Sequence, residues 1–254
     1  MNRRTFLSNT SLTGISMLGL PLLPVFKDFK MMEFNDIPTD LIVLFQGDSV
    51  TDNGRNRSDY YANHAGGLGL GYPFNAASVL LGQHPTKNLR FYNRGVSGHK
   101  VFELANRWEE DALMLQPDVL SILIGVNDFW HVLDFDYKGT VKTYKDDYRK
   151  LLERTKKRLP KVKLIIGEPF ALIGGTAIDE AEWIPQFAAY QQVAKDIATE
   201  FDAAFIPYQS IFDKALKEAP VSYWCPDGVH PSIAGHYLMA VSWLETFMKV
   251  VSKH

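Results

Sequence analysis

Five short apolar runs punctuate the chain: Leu41–Phe45, Leu89–Tyr92, Val119–Ile124, Lys163–Ile166 and Ala204–Ile206. Between and after them, apolar residues recur at helical spacing over Tyr72–Leu81, Val101–Leu115, Val141–Leu159, Ile184–Phe201 and Ile233–Val251. Short bounded runs read as strands and long periodic stretches as helices. Strands that alternate with long helices build βαβ units, which give a parallel sheet covered on both faces. The pattern therefore predicts an α/β fold, a three-layer α/β/α sandwich around a five-stranded parallel sheet. No internal repeat, low-complexity linker or compositional break follows residue 40, so residues 38–254 read as one domain.

In open parallel sheets, ligands bind outside the carboxyl ends of the strands. Four of the predicted strand or loop ends carry glycine and polar residues there. Leu41–Phe45 runs through Gln46 into Gly47-Asp48-Ser49. The second strand leads into Asn93-Arg-Gly-Val-Ser-Gly98, the third into Gly125-Val-Asn127-Asp128, and Asp227-Gly-Val-His230-Pro231 precedes the last helix. Taken singly, each is an ordinary turn or cap sequence. Together they hold what an ester hydrolase needs: a nucleophile, a base, a group that orients the base, and donors for an oxyanion. Ser49, leaving a strand in a tight turn that Gly47 permits, can present its hydroxyl. His230 suits a general base, and Asp227, three residues earlier, can turn back to its ring N–H. At Gly98 the missing side chain would let a backbone N–H approach a substrate, and the Asn127 amide would add a second kind of donor.

Composition changes this picture little. The 254 residues are 46% hydrophobic and 22% charged with a formal net charge of -2, which suits one globular core and gives no reason to expect nucleic acid as a partner. Cys225 is the single cysteine, so no intrachain disulfide can form. Residues 1–30 differ in kind. Arg3 and Arg4 precede Phe6-Leu7 and a mostly apolar run to Leu23, a basic-then-apolar pattern that resembles a twin-arginine export signal. Pro21 and Pro24 interrupt the run, and no cysteine follows it to carry a lipid. The expectation is an exported protein without a stable membrane anchor, with its mature start near residues 25–38.

The four blocks containing Ser49, Gly98, Asn127 and Asp227–His230 resemble those of the SGNH (GDSL) hydrolases, from about Leu41 to the final helix. Arg107-Trp108-Glu109-Glu110-Asp111 and the run Pro117 to Trp130 resemble the bacterial branch that includes xylan acetylesterases. The resemblance implies a flavodoxin-like sheet and a serine esterase that needs no metal or organic cofactor. It implies Ser49 as nucleophile, His230 as base, Asp227 as support, and an oxyanion held by the N–H groups of Ser49 and Gly98 with the Asn127 side chain. Asp52 and Asp128 would be braces or helix caps. The implied substrate is an acetyl ester on a plant-type polysaccharide or oligosaccharide. The alternatives are a lysophospholipase or short-chain lipid esterase and, in another class, a catalytically inactive carbohydrate-binding module.

Other signals carry less. Ser97-Gly-His-Lys100 fits S-x-x-K, but its companion motifs are missing. The Gly-rich run Ala65–Phe74 has neither dinucleotide nor P-loop register and reads as a flexible loop bordering the cleft. His230 and His236, six residues apart, would stand about 600° apart on a helix and not share a metal. Cys225 reads as a small buried hydrophobe. Trp108, Trp130, Tyr223 and Trp224 are candidates for an aromatic sugar platform.

Overall fold

The computed structural model describes residues 37–252; the export signal expected over residues 1–30 lies outside them. The elements run β1 (Ile42–Gly47), α1 (Ser49–Asp52), α2 (Ala65–Leu68), α3 (Tyr72–Gln83), β2 (Arg90–Asn93), α4 (Val101–Asn106), a π-helical turn (Glu109–Leu113), β3 (Val119–Leu123), α5 (Val126–Asp134), α6 (Val141–Arg158), β4 (Lys163–Gly167), α7 (Glu180–Glu200), β5 (Ala204–Ile206), α8 (Tyr208–Ala215), α9 (Val221–Trp224) and α10 (Ile233–Val251). The five strands form one parallel sheet in the order β2-β1-β3-β4-β5. The predicted three-layer fold is thus the observed one.

Strand alternation sends side chains to the two faces in turn. Leu44, Leu120, Ile122, Leu164 and Ile166 join the core beneath α4, α6 and α7. Phe45 faces the other way, against Tyr72 of α3 and Trp243 of α10, whose ring centroids lie 5.6 and 4.8 Å away. Beside it Ser121, its register partner on β3, accepts the Trp243 indole N–H at 2.9 Å. That bond satisfies two polar groups that the packed layer would otherwise strand.

Three predicted helices keep their extent within two residues, while α7 begins four residues before its apolar pattern. Its cap is Asp179, which accepts from Ala181 N at 2.9 Å. Val101–Leu115 is not one helix. It breaks at Arg107 and resumes as the π-helical turn, which buries Trp108 with its N–H on Thr155 Oγ1 at 2.8 Å. The Gly-rich run contains α2, and its Gly67 and Leu68 are buried, so it is not simply a loop. Gly125-Val-Asn127-Asp128 is also not a loop: Gly125 is the N-cap and the others are the first turn of α5.

The chain crosses from β1 to β2 on one side and later returns to β3 on the other. This reversal opens a crevice at the carboxyl ends of β1 and β3.

Candidate active site

At that crevice Asp48 caps α1, its side chain accepting from Val50 N at 3.0 Å. Ser49 is therefore the first helical residue, partly exposed at the rim. Its Oγ lies 2.8 Å from His230 Nε2. His230 Nδ1 lies 2.6 Å from Asp227 Oδ2, and Asp227 Oδ1 accepts from the backbone N–H groups of Val229 at 2.8 Å and His230 at 2.6 Å. Burial acts to raise the Asp227 pKa, but these bonds outweigh it and hold the carboxyl below its usual range. An ionised carboxylate only accepts, so His230 Nδ1 donates, and Nε2 is left to take the serine proton. The Asp227 bond also raises the His230 pKa above its ordinary value, against burial.

The turn carrying Asp227 is braced by a segment that the sequence reading overlooked. Leu172 N donates to Gly228 O at 2.8 Å, Thr176 N to Pro226 O at 3.2 Å and Ala177 N to Asp227 O at 3.0 Å. Only Gly174-Gly175 hinted at so close an approach of two backbones.

Gly98 and Asn127 converge on the same crevice. Gly47 is the register partner of Leu123, so the segments carrying Ser49 and Asn127 leave adjacent strands. Val96 N donates to Gly47 O at 3.0 Å, drawing in the loop that carries Gly98. Asn127 is buried, and its Nδ2 donates to His99 O at 3.2 Å, one residue beyond Gly98. This orients the amide and leaves its other N–H available. Gly98 has φ +82°, where a side chain would be strained.

Charged groups set the Gly98 loop from behind. Asp52 Oδ2 accepts from Ser97 N at 2.9 Å, Ser97 Oγ at 2.8 Å and Arg57 at 2.7 Å. Arg107 donates to Arg94 O at 2.7 Å and to Asp111 at 2.8 Å. Asp52 is thus the expected brace. Asp128 accepts from Val101 N at 3.3 Å, tying α5 to α4, and burial pushes its carboxyl up to about 8. Burial likewise pushes Asp48 up to about 7.

The weaker candidates separate clearly. Ser97 serves Asp52, while Lys100 bonds Glu103 and His131, so this S-x-x-K pair does not meet. His236 is buried, accepts from Tyr72 N at 3.2 Å and is pushed down to about 4 by burial. No group of three potential metal ligands occurs among the described residues. Cys225 is buried, and burial pushes its thiol far up. Trp108 is fully buried and cannot be a platform. Trp130 lies at the site, partly exposed, its ring 6.3 Å from that of His230 and backed by Trp183 at 5.8 Å.

The geometry has relatives. The profile of the GDSL-like Lipase/Acylhydrolase family matches residues 45–238. An acetylxylan esterase of Geobacillus stearothermophilus is 36% identical over 207 residues, 80% of this chain and 91% of its own. A crystal structure of that esterase superposes with a TM-score of 0.73 at 34% identity, covering 83% of this chain and 95% of the other. A protein designated a GDSL-like lipase, from Parabacteroides merdae, superposes with a TM-score of 0.81 at 47% identity, covering 83% and 97%. Other structures of the Geobacillus esterase are of catalytic mutants, in which a serine, an aspartate or a histidine is replaced by alanine.

Proposed function

Because this chain belongs to the GDSL-like lipase/acylhydrolase family and is a carboxylic ester hydrolase, we propose that it removes acetyl groups from a plant-type polysaccharide or its oligosaccharides. The observation that carries the catalytic assignment is the unbroken chain Ser49 Oγ–His230–Asp227, at 2.8 and 2.6 Å. Ser49 Oγ attacks the acetyl carbonyl carbon while His230 Nε2 takes the hydroxyl proton. The carbonyl electron pair moves to oxygen, where the N–H groups of Ser49 and Gly98 and the free Asn127 Nδ2–H receive it. Collapse breaks the bond to the sugar oxygen, which His230 protonates as it leaves. Water, deprotonated by His230, then attacks the acetyl-serine and releases acetate. Asp227 stabilises the imidazolium in both halves.

The acetylxylan esterase relative supports the substrate class, and Trp130 beside His230 supports a sugar on the leaving-group side. The Arg3-Arg4 leader supports export, which brings the enzyme to a polymer outside the cytoplasm. The test is acetate release from acetylated xylan by the protein and by Ser49→Ala. Release that vanishes with Ser49 establishes the reading. Ser49-dependent cleavage of a small acetyl ester with none of xylan would move the substrate to another glycan or a short-chain lipid. Binding without any cleavage would indicate an inactive carbohydrate-binding module.

A further inference from the structure

α5 carries more than Asn127. One turn along the same helix, His131 stands beside Gly98. Beyond Gly98 and its chain neighbours, His131 Cε1 is the one described atom within 4 Å of where a Gly98 Cβ would stand, at 4.0 Å. Lys100 Nζ lies 3.1 Å from His131 Nδ1, and Lys100 is itself only 7% exposed. An ammonium has donors and no acceptor, so Nδ1 must accept and the ring proton must sit on Nε2. Burial and the Lys100 charge both lower the His131 pKa, which keeps the ring in this neutral form. Among the described residues, Nε2 has no hydrogen-bond partner, and it is not among the sealed polar atoms. A donor of fixed tautomer thus stands beside the oxyanion-side glycine with no acceptor among the described residues.

The residue that ends α5 completes the arrangement. Phe135 is 64% exposed, and its ring centroid lies 4.7 Å from that of His131. Behind the pair, Tyr137 stacks on Phe102 at 5.9 Å, with Lys100 Nζ 5.2 and 5.5 Å from the two ring centroids. His131 through its hydrogen bond, and Tyr137 and Phe102 through their ring faces, are thus anchored on one buried cation, while Phe135 against His131 stays exposed. A single exposed phenylalanine needs no explanation. This one adjoins an oriented donor and is joined through His131 to the edge of the reacting centre. An aromatic face beside a few directed polar groups suits a ligand with an apolar face and hydroxyls at its rim. A pyranose ring has that shape.

We infer that His131 and Phe135 form a subsite for the sugar residue adjoining the acetylated one, with Phe135 under the C–H face and His131 Nε2–H on a hydroxyl. The inference rests on the carbohydrate reading above and adds to it a preference for oligomers over single sugars. A lipid chain would use the Phe135 face but leave the His131 donor unpaired, which costs binding free energy.

The experiment is initial-rate kinetics with the full chain on acetylated xylotetraose and on acetylated methyl xyloside, for the wild type, Phe135→Ala and His131→Phe. The measured quantity is the ratio of kcat/KM between oligomer and monosaccharide. The wild type is expected to favour the oligomer, and each variant to lose roughly five- to ten-fold of that preference, mainly through the oligomer KM. His131→Gln, which keeps a side-chain donor, should recover part of it. Thermal melting checks that each variant is folded. An unchanged ratio in both variants, or no oligomer preference in the wild type, overturns the subsite while leaving carbohydrate deacetylation intact. Hydrolysis of neither sugar, with Ser49-dependent cleavage of 4-nitrophenyl acetate, overturns the substrate reading and the subsite together.

Discussion

Asp227 holds His230 twice: Oδ2 pairs with the ring N–H at 2.6 Å and Oδ1 with the same residue's backbone N–H at 2.6 Å. One carboxylate thus fixes both where the histidine begins and which way its ring turns. The tautomer needed at Ser49 follows from that grip rather than from solvent.

The grip sets the pH dependence. The Asp227 bond stabilises the imidazolium, so the folded pKa of His230 lies above its ordinary 6.5. With His230 as the proposed base, catalysis needs the neutral ring, and protonation removes it as pH falls through the raised value. The acid limb of kcat/KM should therefore have its midpoint above 6.5. Asp227→Asn should move that limb down and lower kcat by about 10³–10⁴-fold. A limb unmoved in Asp227→Asn would separate the carboxylate from the base.

In the proposed mechanism Asn127 differs from a substrate contact, because its free N–H would meet charge that exists only in the transition state. Asn127→Ala should lower kcat by about 10²–10³-fold with little change in KM. A loss confined to KM would make it a binding residue instead.

Asp52 acts through Ser97. Removing its carboxylate in Asp52→Ala leaves Ser97 N–H, Ser97 O–H and the Arg57 guanidinium without their acceptor. The expected loss of stability is about 1–3 kcal/mol in denaturant titration. Because Gly98 is the next residue, kcat should fall as well. Stability lost at unchanged kcat would show that the loop keeps its geometry without Asp52.

Two glycine substitutions give opposite outcomes. A Cβ on Gly175 would collide with the backbone of Asp227 and Gly228, whereas one on Gly82, in α3, meets nothing within 4 Å. Gly175→Ala should lower Tm and kcat together by displacing the Asp227 turn. Gly82→Ala should raise stability by about 0.5–1 kcal/mol and leave kcat as it was. Equal effects in thermal melting and kinetics would contradict the braced turn.

The central strands β1 and β3 were legible because they are buried on both faces and read as nearly continuous apolar runs, while the edge strands β2 and β5 were legible from the turn residues that bound shorter apolar stretches. α5 was not, since a helix that opens on Gly125-Val-Asn-Asp looks like a loop when read locally. Its identity comes from packing: Val126 and Phe129 enter the core, and Phe129 meets Trp183 and Phe187 of α7 at 5.1 and 5.5 Å. The break at Arg107 was hidden for a related reason. Its guanidinium reaches back to Arg94 O, a contact that no periodicity records. Within the site, Asp227 and His230 were visible because they lie three positions apart and a turn joins them. The supports of Gly98 were not: Ser97 and Asp52 are 45 residues apart, and their pairing exists only once β1 and β2 lie side by side. Similarly, Trp108 and Trp130 look alike as aromatic candidates, and only the layers decide that one is core and the other lines the cleft.

The bond between Ser49 and His230 spans 181 residues. Ser49 directly follows β1, the first of the five described strands in chain order, whereas His230 comes after β5, just before α10. A nascent or truncated polypeptide lacking the turn before α10 would carry a serine no more reactive than any other. With Ser49 as nucleophile and His230 as base, as proposed, a cut between them that frees the turn and helix α10 should abolish ester cleavage while leaving the five strands in one piece.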